Sequence, residues 1–421
     1  MERDRGMTDI SNKTFLVSDT GLYFYLARKI GEKAKKVYYH LQDSDAYASG
    51  HKNLIGKGFE EIERVDSFIK YQDKADCICF FDIYSGEDQE QLRKDGHIVF
   101  GNGMAEELEL NRIFFIDFLK EYGLPIIKTY LADGTDDLEG YLKDKKDKYL
   151  KTSYYRGDFE TYHYTSWDRF QSFLNDLKAR IGIRSRDIEI LVQNPIKSAC
   201  EVGWDGYAID DKYTEENLVG YEIKDLAYLG KVFKKTPQVL AKVNNSAMDY
   251  HGKNNCRGHF STEIIIIRSG LGYFTDATER APSPPSELMS EMDKKYAENI
   301  PKIAEGGVPK TDYQEEYGAE IILKSPWHEK HELCVEFPKD LEPFIKLKNA
   351  TKRNGVHICI PNGNAGYFGA AIGFASSVKQ AIQNVLDVVK EIGADELKID
   401  KYLFNEAMEE VEAGAEFGIE F

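Results

Sequence analysis

The sequence predicts a multidomain protein of mixed α/β and α+β class. The expected parts are an N-terminal parallel sheet, a central domain of paired antiparallel strands, and a C-terminal α+β part. Three observations carry this. Short apolar strands alternate with helical runs at the start of the chain, paired strands dominate from about residue 126 to 285, and a last strand and amphipathic helix lie near the end. A chain of 421 residues exceeds what one simple core holds. The expected divisions are 1–125, 126–290 and 291–421.

In order, Thr14–Ser18 reads as a first strand, followed by Asp19-Thr20-Gly21 and a helical run from Leu22 to Lys33. Val37–Leu41, Cys77–Phe81 and Ile98–Phe100 are further strands, the last closed by Gly101-Asn102-Gly103. Ligands of such parallel sheets sit beyond the carboxyl ends of the strands, which places Asp19–Gly21, Asp82–Glu87 and Gly101–Gly103 around one crevice. Asn111–Tyr122 is an amphipathic helix that Gly123-Leu124-Pro125 terminates. Tyr149–Thr152 and Ile188–Val192 are strands with a helix, Trp167–Arg180, between them. Val356–Ile360 is a strand and Val378–Ile392 an amphipathic helix.

Bulk properties bound the function. A net charge of −17 excludes a non-specific duplex nucleic-acid binder, because the phosphate backbone repels it. No apolar run approaches the roughly 20 residues that span a bilayer. The beginning Met-Glu-Arg-Asp-Arg has no signal-peptide core, and six scattered cysteines without CxxC spacing fit a reducing cytoplasm. Small-molecule partners and a monomer or homodimer are the expectation.

The chemistry concentrates in Glu263–Arg280. An acidic residue opens an apolar strand, a glycine-bearing turn reverses the chain, and a second strand ends in Asp276-x-Thr278-x-Arg280. An antiparallel hairpin of that length brings Glu263 and Asp276 to one end. Two carboxylates side by side call for a hard cation, Mg²⁺ (or Mn²⁺), and alternation puts Thr278 and Arg280 on the face of Asp276. The hairpin therefore reads as a place for a metal and a polyphosphate.

Taken in sequence, these segments resemble the ATP-grasp superfamily, most of all its phosphoribosylamine–glycine ligase branch. Ser18-Asp-Thr-Gly21 stands at the family's first glycine-bearing loop, and Phe81–Glu87 at its second turn. Phe100–Arg112 and Phe118–Pro125 follow the next stretch closely, and Ala371–Ile382 is similar to the last domain's glycine turn and helix. The resemblance implies that ATP is held between two antiparallel sheets, that a carboxylate is activated as an acyl phosphate, and that an amine attacks it. It implies Arg112 and Lys151 as phosphate contacts, Gln193 and Ile196 at the adenine hinge, and Glu201 on the ribose. It implies Glu263, Asp276 and Thr278 as metal ligands, Lys151 and Arg280 as catalytic groups, and Asp19, Thr20, Gly21 and Arg280 as substrate contacts. The acid would be glycine or a small amino acid and the amine phosphoribosylamine or a nucleotide-like amine, in purine biosynthesis. The chain departs from the pattern at Arg112, Gln193, Asp276 and Thr278, and its loop Ser153–Tyr164 offers only Gly157 where the family is glycine-rich. Those departures support an alternative, a catalytically degenerate ATP-binding regulatory protein of the same fold. A carboxylase of the superfamily ranks third, since no biotinyl-type Ala-Met-Lys-Met sequence is present.

Other signals have plainer readings. His251, Cys256 and His259 invite a zinc site but lack a fourth ligand and a common zinc spacing. His328 and His331 are weaker still, Cys77 and Cys79 are core residues, and Lys143–Lys148 is a solvated turn.

Overall fold

The computed structural model describes residues 9–42, 52–153, 161–361, 366–400 and 402–421. The chain forms two compact units, one of Met1–Ala105, Val202–Thr262 and Thr278–Phe421, the other of Glu106–Glu201 and Glu263–Ala277.

The larger unit begins with β1 (Thr14–Asp19), β2 (Lys36–Leu41), β3 (Glu63–Val65), β4 (Cys77–Phe80) and β5 (Val99–Phe100), interleaved with α1 (Phe24–Gly31), α2 (Ile69–Gln72) and α3 (Gly86–Lys94). The strands pair in the order β3-β2-β1-β4-β5, parallel throughout. Their apolar runs are continuous because helices cover the sheet. Leu16, Ile78, Phe80, Leu92 and Val99 form one shared core.

The smaller unit contains α4 (Glu107–Leu110), α5 (Arg112–Glu121), β6 (Thr129–Asp133), α6 (Gly134–Leu142), β7 (Lys148–Thr152), β8 (Thr161–Tyr164), α7 (Trp167–Ile181) and β9 (Glu189–Gln193). Its four strands pair antiparallel in the order β6-β9-β7-β8. One sheet face packs Leu150, Ile190 and Val192 against Leu138, Phe170, Leu174 and Leu177 of α6 and α7. The opposite face carries Tyr149 and Lys151 of β7. The expected loop Ser153–Tyr164 lies largely outside the described residues, at 154–160.

The chain then runs through β10 (Cys200–Ile209), β11 (Asn217–Ile223), β12 (Ala227–Phe233), α8 (Gln238–Asn254), β13 (Arg257–Ile266) and β14 (Gly272–Thr278). Strands β10, β13 and β14 carry it from one unit into the other. After α9 (Ser286–Met292) and α10 (Tyr296–Ala304) come β15 (Tyr317–Lys324), β16 (Leu333–Glu336), β17 (Ile345–Leu347), β18 (Ala350–Arg353), β19 (Val356–Cys359), β20 (Tyr367–Ala375), α11 (Val378–Lys390), β21 (Gly393–Ala394) and α12 (Leu403–Ala415). An eight-stranded sheet has the order β14-β13-β10-β11-β12-β15-β20-β17, and a smaller one β18-β19-β16-β21. Among the described residues no helix is long and apolar enough to cross a membrane.

Candidate active site

In the smaller unit, strand periodicity selects the functional face. Leu150 and Thr152 of β7 turn into the core, so Tyr149 and Lys151 face the other way. Register places Lys151 opposite Leu191 and Tyr149 opposite Gln193, so all four belong to that one face. The Lys151 ammonium donates to the Thr275 carbonyl at 3.0 Å, which holds β7 to the β13–β14 hairpin. The Gln193 amide donates to Thr129 Oγ1 at 3.3 Å. Ile196, just beyond, lines a cavity of about 750 Å³ with Lys128, Lys197, Arg268 and Tyr273.

Arg112 is placed by a helix cap. The Asn111 side chain accepts from the amides of Ile113 and Phe114 at 3.2 and 3.1 Å, which starts α5 and fixes Arg112 as its first residue. Its guanidinium, 2% exposed, makes a two-pronged bond to Asp276, with Nη1 to Oδ1 at 2.6 Å and Nη2 to Oδ2 at 3.3 Å. In this structure the partner of Arg112 is thus a carboxylate of the hairpin.

Across the hairpin the Thr275 hydroxyl donates to the Glu263 carbonyl at 3.0 Å. The Glu263 side chain is reachable from solvent although protein crowds it from several directions, as in a recess. That crowding, then the adjoining Glu201 carboxyl and the charge of Asp276, push its pKa well above the usual carboxylate range, against a smaller pull from Lys151. Arg112, Lys151, Glu201, Glu263 and Asp276, distant in sequence, therefore meet in one cluster. The crowding is the larger cause of that rise, and the two neighbouring carboxylates add to it.

The remaining candidates lie in the larger unit. Asp19 is fully buried; it accepts from the amides of Gly21 and Tyr23 and from the Tyr39 hydroxyl at 2.8 Å. Burial pushes its pKa up to about 6 despite those bonds. It works as the internal acceptor that shapes the turn after β1. The Thr20 hydroxyl donates to Asp82 at 2.9 Å. Gly21 has φ +100°, and a Cβ there would lie 2.2 Å from Asn349 Oδ1, so only glycine fits. Thr278 is half-buried, and Arg280 donates to the Tyr23 hydroxyl at 2.9 Å.

Alternation along this strand also buries Ala277 and Glu279, and the sequence reading overlooked Glu279. Glu279 bonds to His251 Nε2 at 2.9 Å and accepts from the Asn102 amide at 2.9 Å. Cys256 joins them, with donor atoms of His251, Cys256 and Glu279 within 4.8 Å of one another. His259, the third member of the sequence triad, is elsewhere: its Nε2 meets the Tyr296 hydroxyl at 3.2 Å, and burial lowers its pKa to about 3. The signal for Glu279 was period-two alternation itself.

No family model matches the chain, and no curated protein matches it. Solved structures do. Phosphoribosylamine–glycine ligase from Thermotoga maritima is similar over 91% of this chain and 98% of its own, with a TM-score of 0.65 and 12% identity. N5-carboxyaminoimidazole ribonucleotide synthetase from the same organism is similar over 91% and 99%, with a TM-score of 0.59 and 12% identity. Biotin carboxylase from Campylobacter jejuni is similar over 94% and 96%, with a TM-score of 0.66 and 13% identity. Likeness at these identities is likeness of fold. The chain has the ATP-grasp fold that its sequence led us to expect.

Proposed function

We propose that the protein is an ATP- and Mg²⁺-dependent carboxylate–amine ligase acting through an acyl phosphate. One observation carries the reading: on an ATP-grasp fold, Lys151, Glu201, Glu263 and Asp276 converge with Arg112. The donor set fits a hard dication, since it is all oxygen and places the carboxylates of Glu201 and Asp276 beside that of Glu263. Glu263 and Asp276, with the Thr278 hydroxyl, would hold Mg²⁺ (or Mn²⁺), which when bound neutralises charge on the ATP phosphates. Lys151 and Arg112 steady those phosphates, Gln193 and Ile196 receive the adenine, and Glu201 the ribose. Arg280 offers its guanidinium to the acyl phosphate. The amine then displaces phosphate, leaving amide, ADP and phosphate, so no protein nucleophile is needed.

The substrate pair inside this class stays open between phosphoribosylamine with glycine and other small acids and amines. TM-scores of 0.65 to a phosphoribosylamine–glycine ligase and 0.66 to a biotin carboxylase favour neither neighbour's substrate. A second reading, an ATP binder without turnover, is favoured by the bidentate Arg112–Asp276 pair, which occupies a metal carboxylate with a fixed cation. ADP release from Mg-ATP, screened over small amino acids and amines including phosphoribosylamine, separates the two. Turnover that needs both acid and amine, and is lost in Glu263→Gln and Asp276→Asn, establishes the ligase. ATP binding that never leads to acid- and amine-dependent ADP release establishes the binder for that panel.

A further inference from the structure

The parallel sheet of the larger unit reverses its strand order between β1 and β4, and a cavity of about 740 Å³ opens at their carboxyl ends. Its size suits a small ligand. Phe68, Phe80, Ile83 and Leu92 supply apolar walls, and the polar groups form one linked set. Ser18 Oγ meets His40 Nδ1 at 3.2 Å, and the Gln42 amide donates to Ser18 Oγ and to Ser85 Oγ, each at 3.1 Å. Tyr84 borders the same cavity, 48% exposed, with φ 73°. A tyrosine in the left-handed region is strained, and such strain gathers where a ligand is clamped.

The charge of the lining is the decisive feature. Among the described residues, no lysine or arginine lines the cavity, and its acidic groups are Asp88 and Asp95. Burial and the nearby Arg64 charge lower the His40 pKa, so His40 is neutral at pH 7 and adds no cation. Among the described residues that line the cavity, a phosphate would find carboxylates and no cationic side chain. Flat aromatic walls with amide and hydroxyl groups instead match the faces and edges of a ring with hydrogen-bonding edges.

We propose that this cavity binds a nucleobase or nucleoside without its phosphate. The inference does not depend on the ligase reading, because binding is measured without ATP or acid. The test is calorimetric titration of the full chain with adenosine, guanosine, inosine and cytidine and with their 5′-monophosphates. We expect one nucleoside to bind at one site per chain, and its monophosphate to bind at least tenfold more weakly. Gln42→Leu should weaken the nucleoside at least tenfold without shifting thermal unfolding. Asp88→Lys, on the exposed side of α3, should remove or reverse the discrimination against the monophosphate. Excess ATP should leave nucleoside binding unchanged. No saturable nucleoside binding up to millimolar concentration overturns the proposal. So does a tighter monophosphate in the unmodified protein, or binding that ATP abolishes and Gln42→Leu does not alter.

Discussion

The pair between Arg112 and Asp276 offers the sharpest energetic test of the site. The two side chains are 3% and 23% exposed, and they share two hydrogen bonds of 2.6 and 3.3 Å. Asp276→Ala removes both bonds from a guanidinium that has almost no access to water. Removing one partner of a buried pair costs about 3 to 5 kcal/mol, and the partial exposure of Asp276 argues for the lower end, about 3 kcal/mol. Part of this is offset because Asp276 is one of the charges that raise the Glu263 pKa, though it ranks behind Glu201 there. Arg112→Met leaves a carboxylate that still reaches water, so it should cost less. The double variant replaces an ion pair by apolar volume, which is close to neutral for such pairs. The coupling then equals the two single costs together, about 3 kcal/mol or more. The assay is urea unfolding of the four proteins in EDTA-containing buffer, followed by near-ultraviolet circular dichroism. Additivity within about 0.5 kcal/mol would refute the reasoning, because independent sites behave that way.

Three further outcomes follow from the same structure. Asp205, buried and bonded to Ser261 at 2.6 Å and Tyr228 at 2.7 Å, has its pKa pushed up to about 6 by burial, as has Asp19. Between about pH 4 and 6 the folded chain keeps protons that the unfolded chain releases, so stability falls as pH rises through that window, by about 3 kcal/mol per group. Asp205→Asn should halve that fall, and denaturation midpoints across pH 4–7 with equal slopes would contradict it. Gly21→Ala, forced to φ +100° and against Asn349, should lose about 1 to 3 kcal/mol in chemical denaturation. Lys151→Met should lower kcat/KM for ATP at least about tenfold, or ~1.4 kcal/mol, while thermal unfolding moves little; unchanged kinetics would remove Lys151 from the phosphate site.

Much of the fold was legible because its signals are local. The strands β1, β4 and β5 are mostly apolar runs, and Asn111 is a cap whose side chain accepts from the amides of Ile113 and Phe114. Helix α8 escaped notice because its buried face mixes Leu240, Val243 and Ala247 with Asn244, Ser246 and His251, which blurs the apolar period. Strand β3, three residues long, carries too few positions for alternation to show. The site divided along the same line. The hairpin carboxylates were readable from one segment, whereas the partner of Arg112 lies 164 residues away in sequence.

Asp19 and Glu279 show how the same residue type takes opposite roles. From sequence, an acid beside a glycine turn after a first strand suggests a ligand contact, yet Asp19 is spent on its own turn and on Tyr39. Glu279 gave no signal as the odd member between Thr278 and Arg280, yet it ties the end of β14 to His251 of α8 and to Asn102 after β5. Both follow from burial: these carboxylates, taken out of water, are met by donors already in the fold. Glu263 and Asp276 differ in that they keep access to solvent. In Glu263, Glu201 and Asp276 negative charge accumulates beyond what Lys151 and Arg112 balance. That surplus sets this cluster apart from Asp19 and Glu279, whose carboxylates are bonded within the fold.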